Sequence, residues 1–247
     1  MRAGFPIVPS SRVLHNPRVR VGQKLKTTLE MIKFEHTIFA LPFALIGALL
    51  ASNGLPSGWQ ILWIVLAMVG ARSAAMTFNR IVDSRYDSLN PRTEKRALPA
   101  GTLSMSFAVA FTIVMSVLFV FSAAQLNAIC FYLSFPTLAI LLFYSYTKRF
   151  TALSHLFLGL AIGLAPLAAW LAVRGEFAWP PVLLSGAVMF WIAGFDIIYA
   201  MQDLEFDKRQ GLFSLPSQIG GARALFLSSA FHVATIVLLL GTARWMG

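Results

Sequence analysis

Apolar runs of about twenty residues recur near 35–53, 59–82, 104–123, 126–147, 153–173, 181–202 and 222–246. A helix needs about 20 predominantly apolar residues to cross a bilayer. The pattern therefore predicts an all-α, polytopic transmembrane bundle with seven spans. What remains is loops and an N-terminal segment, too little for a separate soluble domain. The loops alternate in character. Those on one side (Asn53 to Ser57, Gln125 to Asn127, Arg174 to Pro181) are short and nearly uncharged, whereas two on the other side are about twenty residues long and densely charged. Long loops in a compact protein are usually functional or disordered, so function is expected on the charged side.

Composition agrees, since 57% of the 247 residues are hydrophobic and 12% are charged, against about 25% charged in ordinary soluble domains. Residues 1–30 are basic and contain prolines but lack the apolar core of a secretory signal. They read as a loose cytoplasmic lead-in to a membrane domain over 31–247. Of the twenty Lys and Arg, seventeen fall on one side, Arg174 and Arg244 fall on the other, and Arg72 lies inside a span. The positive-inside rule then makes the N-terminus and the long loops cytoplasmic. The net charge of +10 is accounted for by topology and by anionic lipid, and it requires no nucleic-acid partner. Cys130, the lone cysteine, excludes an internal disulfide and reads as a small buried residue. His15, His36, His155 and His232 are scattered, and no Cys-His spacing matches a zinc or haem site.

Two polar stripes interrupt the apolar pattern. Residues four apart on a helix share a face, about 6 Å of rise apart, so Asn79, Asp83 and Asp87 form one oxygen-rich stripe. Asp196, Tyr199, Asp203 and Asp207 form a second by the same spacing. All five aspartates of the chain lie in these stripes, and Asp83/Asp87 and Asp203/Asp207 are separated by the same 120 residues. The sequence thus looks like two similarly oriented halves, each with an acidic cluster at one end of a helix, as in membrane proteins built from repeats. A helix C-terminus is the unfavourable end for negative charge, and converging carboxylates repel unless cations join them. Hard oxygen donors suit Mg2+, which typically takes one or two carboxylates plus substrate phosphates.

Protein cations stand nearby: Lys33, Arg92, Lys95, Arg96, Lys148, Arg149, Lys208 and Arg209. Such groups bind phosphate by charge-assisted hydrogen bonds, although Lys148 and Arg149 serve equally well as a topology signal. Arg72 is costly inside a span unless it faces protein or water, about 2.5–3.5 kcal/mol on insertion scales. It precedes Asn79 by two turns and shares its face. A diphosphate site at a membrane surface points to a polyprenyl diphosphate, with its tail in the bilayer and its head on metal and basic residues. Asp83, Asp87, Asp203 and Asp207 are then the candidate catalytic residues. Phe78, Tyr144, Tyr146, Phe195 and Tyr199 lie close enough to stabilise an allylic cation through their ring faces.

At these residues the sequence resembles the UbiA-type intramembrane aromatic prenyltransferases, marked by N-[DR]-x-x-D-x-x-x-D after the second helix and D-x-x-x-D after the sixth. Here these read "NRIVDSRYD" and "YAMQDLEFD", followed by "NPRTEKRALPAG" and "KRQGLFSLP", with "YSYTKR" between them. The likeness runs from about Lys33 to the last span. It implies a helical fold around a central cavity open to the cytoplasm, in a bacterial-type plasma (inner) membrane. Mg2+ would be held by Asn79, Asp83, Asp87, Asp203 and Asp207, and the diphosphate by Lys148 and neighbouring cations, with Lys33, Arg72, Arg92, Arg96, Arg149, Tyr199 and Lys208 as further candidates. The implied reaction moves a polyprenyl chain to the ring of a hydroxylated aromatic acid in ubiquinone or menaquinone biosynthesis. Arg80 stands where many members have aspartate. That variant resembles the 4-hydroxybenzoate polyprenyltransferase-like branch, which includes enzymes acting on a dihydroxynaphthoate in the futalosine route to menaquinone. The family generally has nine spans, so a chain ending with its seventh is expected to be C-terminally truncated.

Two readings from other classes compete. A cation-coupled transporter would place acids at mid-bilayer on broken helices, whereas these lie at helix ends. An inactive lipid-diphosphate-binding fragment would keep the site without turnover. A phosphoalcohol transferase is disfavoured because no D-G-x-x-A-R segment occurs.

Overall fold

The computed structural model describes residues 21–246 apart from Lys33 and Asn53, with side chains undescribed at 21, 23 and 34–40. The described residues contain helices and turns only: α1 (Val21–Met31), α2 (Phe34–Ser52), α3 (Gly58–Asp87), α4 (Met105–Leu126), α5 (Ala128–Thr147), α6 (Ser154–Arg174), α7 (Trp179–Ala200), a 3-10 turn (Met201–Asp203), α8 (Leu204–Gln210), α9 (Leu215–Ile219) and α10 (Gly221–Met246). Six segments are long and apolar enough to cross a membrane: α3, α4, α5, α6, α7 continued to Gln210, and α10. The seventh expected span is α2, a 19-residue helix in which the shorter stretch Leu41–Ser52 is the apolar part among the described residues. Part of the expected loose lead-in is also ordered. α1 ends on Met31 and Ile32, which are buried with Leu103 against Met76, Leu98 and Phe111.

The helix ends follow from local chemistry. Ser57 caps α3 in a reciprocal box with Gln60, Ser104 caps α4, and Asn127 caps α5. Each accepts from a backbone N–H that the helix leaves unpaired. The distribution of side chains is inverted relative to a soluble protein. Small polar residues such as Ser73, Thr77, Ser122, Ser134 and Ser228 are buried, while Val109, Ile113, Val117, Phe121, Phe135, Phe226, Val233 and Leu240 are exposed. In lipid, apolar side chains face the solvent and close packing with interhelical hydrogen bonds drives association. This is an integral membrane protein.

α3 packs on α4, α6 lies against both α2 and α7, and α7 packs on α10. The α6–α7 contact depends on glycine. A Cβ on Gly159 would stand 2.3 Å from the Met189 carbonyl oxygen, and one on Gly163 would stand 2.8 Å from that of Ser185. This small-x-x-x-small pair lets the two backbones approach, and it brings the start of α6 beside the end of α7, where the polar residues gather.

Candidate active site

The polar ends of α3, α5, α6 and α7, with the two long loops, enclose a cavity of about 400 Å³. Asn79, Asp83, Asp87, Asp203 and Asp207 all line it, as do Arg72, Arg92, Arg96, Lys148 and Tyr199. The first stripe forms as spaced: α3 remains helical through Asp87, and the Asn79 amide donates to Asp83 Oδ2 at 3.2 Å. The second stripe is not continuous. α7 stops at Ala200, and a 3-10 turn carries Asp203 before α8 restarts at Leu204. A 3-10 turn advances three residues per turn rather than 3.6, so the α-helical spacing does not hold across it, yet Asp196, Tyr199, Asp203 and Asp207 all line the same cavity.

Asp83, Asp87 and Asp203 are each held by a cation. Lys148 Nζ lies 2.6 Å from Asp83 Oδ2. Arg96 donates both hydrogen bonds of its pair with Asp87 from Nη1, at 2.8 and 2.9 Å. Arg92 grips Asp203 through Nε at 3.0 Å and through Nη2, and Asn90 adds a third hydrogen bond to the same carboxylate at 3.0 Å. Arg92 also lies over the Tyr199 ring, 5.5 Å from its centroid. Burial opposes the charge on Arg92, but the hydrogen bond and charge of Asp203 outweigh it and raise its pKa above the ordinary guanidinium value. Asp83 and Asp87 are buried, and carboxylates that deep are stable only when paired.

Two expected residues stand elsewhere. Lys208 points outward, 3.9 Å from Glu205 and about half exposed, because α8 turns that face to solvent. Arg149 does not line the cavity. It donates to the Val82 carbonyl at 2.7 Å, lies over the Tyr86 and Tyr146 rings, and supports Asp83 from 4.0 Å. Lys33 falls outside the described residues. Among the aromatics, Tyr144, Phe195 and Tyr199 face the cavity, while Phe78 and Tyr146 pack edge to face on each other.

Arg80, the variant position of the first motif, is buried at the wall. Two further lining residues carry no recognisable spacing: Asn90 reaches Asp203 from the first loop, and His155 is bonded to Asp196 at 2.7 Å. The aspartate repeat gave no signal for His155. A buried histidine opposite an acidic stripe becomes legible only once α6 is placed beside α7.

A second cavity of about 410 Å³ is almost wholly apolar, lined by Ile64, Met68, Leu133, Ile140, Ala165 and Leu171 among others. The two share Arg72, Met76, Tyr144, Leu158 and Ile162 as lining. Arg72 Nε is buried there without a hydrogen-bond partner, and in the polar cavity Asp83 Oδ1 and Ser145 Oγ likewise lack one. A polar chamber next to a greasy one, with a buried guanidinium Nε that makes no hydrogen bond between them, suits an amphiphile with an anionic head.

The UbiA prenyltransferase family profile matches residues 40–247. The chain belongs to the UbiA prenyltransferase family. It is 30% identical over 237 residues to a 4-hydroxybenzoate octaprenyltransferase of Methylobacillus flagellatus, covering 95% of this chain and 78% of that one. The structure of a UbiA homolog from Aeropyrum pernix K1 is 38% identical and superposes with a TM-score of 0.81, over 86% of this chain and 80% of that one. A UbiA homolog from Archaeoglobus fulgidus bound to GPP and Mg2+ shares the fold at 24% identity and a TM-score of 0.71, over 87% and 77% of the two chains. The UbiA chain described here is thus a membrane-embedded prenyltransferase whose acidic motifs sit in one cavity.

The donor set fits a hard divalent cation. The four motif carboxylates and the Asn79 amide share the cavity wall, and Asp83 Oδ1 is buried without a hydrogen bond, with the Arg149 guanidinium 4.0 Å away. No three acidic, histidine or cysteine side chains converge on a common point among the described residues.

Proposed function

We propose that this prenyltransferase moves a polyprenyl group from its diphosphate to the ring of a hydroxylated aromatic acid, with 4-hydroxybenzoate as acceptor. The reading is carried by the junction of the two cavities at Arg72 and Tyr144. The names of the curated relatives support this acceptor, and the orphan Arg72 Nε offers its carboxylate a partner. The reaction belongs to quinone biosynthesis. The charged ends of the helices would face the cytoplasm of a cell with a bacterial-type inner membrane, as the basic residues argue.

Mg2+ held by Asn79, Asp83, Asp87, Asp203 and Asp207 would neutralise charge developing on the departing diphosphate. Arg92, Arg96 and Lys148 would bind diphosphate oxygens from the same wall, turning in part from the aspartates they now hold. The apolar chamber would take the proximal prenyl units and exclude water from the allylic cation. Tyr144, Phe195 and Tyr199 would present ring faces to that cation.

The test is mass spectrometry of products after the protein is offered 4-hydroxybenzoate and 1,4-dihydroxy-6-naphthoate in parallel, each with a polyprenyl diphosphate. Prenylated 4-hydroxybenzoate as the main product supports the reading. Exclusive prenylation of the naphthoate, which the Arg80 variant also allows, would reassign the acceptor.

A further inference from the structure

We infer that Asp196 is the carboxylate that takes the proton lost from the acceptor ring, and that His155 is the positioning residue that holds it ready. The inference rests on the prenyl-transfer reading above. Two hydrogen bonds fix the orientation of the pair. His155 Nε2 lies 3.2 Å from the backbone N–H of Leu215, a group that can only donate, so Nε2 accepts there. Nδ1 is left to donate to Asp196 Oδ2, which stands 2.7 Å away. The imidazole is 3% exposed and held at both nitrogens.

This sets Asp196 apart from three of its cavity neighbours. Asp83, Asp87 and Asp203 are held by Lys148, Arg96 and Arg92, and a carboxylate engaged by a cation must give up part of that pair to take a proton. Asp196 is instead oriented by a histidine ring nitrogen. Asp196 lines the polar cavity together with Tyr144, which stands at the junction with the apolar chamber. The pair is also tied to the loop after the second motif. Leu215 opens α9, and Phe213 two residues earlier donates to the Lys148 carbonyl at 2.7 Å. His155 thus links the loop that closes the site to the carboxylate inside it.

The proton balance is simple. The allylic C–O bond of the donor breaks and its electron pair leaves with the diphosphate. A ring carbon beside the acceptor hydroxyl forms the new C–C bond with its π electrons. Its C–H bond then breaks, the electron pair restores the aromatic ring, and the proton passes to Asp196 and from there to water at the cavity mouth. No oxidant or reductant is required.

The test compares the full chain and its Asp196→Asn variant with 4-hydroxybenzoate carrying hydrogen or deuterium at the ring positions beside the hydroxyl. Loss of a positioned base is expected to slow turnover by about 10²–10⁴-fold, with little change in KM for the prenyl diphosphate. In the wild type the deuterated ring is expected to react at the same rate, because C–H cleavage follows the slow step. In Asp196→Asn it is expected to react more slowly, because cleavage has become limiting. His155→Asn keeps an N–H near the Nδ1 position and should retain more activity than His155→Ala. An Asp196→Asn variant with near-normal turnover, or one slowed without an isotope effect, overturns the assignment of the base. Equal losses in the two His155 variants overturn the positioning role. If the wild type forms no prenylated acid, the underlying reading falls and takes this inference with it; product from the wild type with a silent Asp196→Asn sinks the inference alone.

Discussion

Arg92 grips Asp203 across 111 residues of sequence, with Nε 3.0 Å from Oδ1 and Nη2 on the second oxygen. The loop after the first acidic motif is thereby clamped onto the second motif, and the two halves of the chain share one charged wall. Hydrogen bonds to charged groups contribute about 1.5–3 kcal/mol, or roughly one to two orders of magnitude in rate or affinity. Arg92→Ala is expected to lower kcat/KM for the prenyl diphosphate by about that factor. Arg92→Lys keeps the charge without the fork and should fall between. Steady-state kinetics on the two variants decides the matter, and equal kinetics for Arg92→Ala and wild type would refute the clamp.

Lys148 and Asp83 should behave as one unit. Asp83 is 4% exposed, and Lys148 stands 2.6 Å from it. Lys148→Met leaves a buried carboxylate, whereas the double variant with Asp83→Asn removes both charges. A double-mutant cycle on thermal stability in detergent is expected to show the double variant more stable than Lys148→Met alone. Strict additivity would mean that the pair is not coupled.

Lys208 and Arg96 make a contrast that sequence position does not. Both are basic residues shortly after an acidic motif. Lys208 pairs at 3.9 Å with an exposed Glu205, an arrangement worth about 0–1 kcal/mol, while Arg96 holds Asp87 through two bonds. Lys208→Ala should turn over within about twofold of wild type, in keeping with surface changes of about 0.5 kcal/mol or less. Arg96→Ala should lose diphosphate affinity, read as a raised KM.

Gly159 tests the packing that supports the site. Its added Cβ would meet the Met189 carbonyl oxygen at 2.3 Å and the Ala193 Cβ at 3.2 Å. The first is backbone and cannot rotate away, so α6 must move off α7. Gly159→Ala is expected to cost about 1–3 kcal/mol and to lower the melting temperature in detergent. It should also reduce turnover, because His155 lies one turn away on the same helix. Unchanged stability would show that the helices have slack there.

Most of the bundle was legible because lipid imposes a length on each helix, and the apolar runs report it directly. The aspartates were legible because α3 stays helical through Asp87, so spacing became a face. Past Ala200 the same rule broke down, because the 3-10 turn at Met201–Asp203 interrupts the α-helical register. Residues that reach the site across the fold gave no periodic signal. Asn90 on Asp203 and His155 on Asp196 each depend on helix contacts that no local pattern encodes. The outward turn of Lys208 is a further case, since charge beside a motif says nothing of which face of a short helix it takes.

The central claim is that both acidic motifs act together in a metal-dependent prenyl transfer. The most direct measurement is prenylated 4-hydroxybenzoate formed by the purified protein from a polyprenyl diphosphate, with and without a chelator, in wild type, Asp83→Ala and Asp203→Ala. The expected result is product from the wild type, its loss on chelation and recovery with Mg2+, and no product from either variant. Turnover that survives in either aspartate variant, or that ignores the chelator, would contradict it.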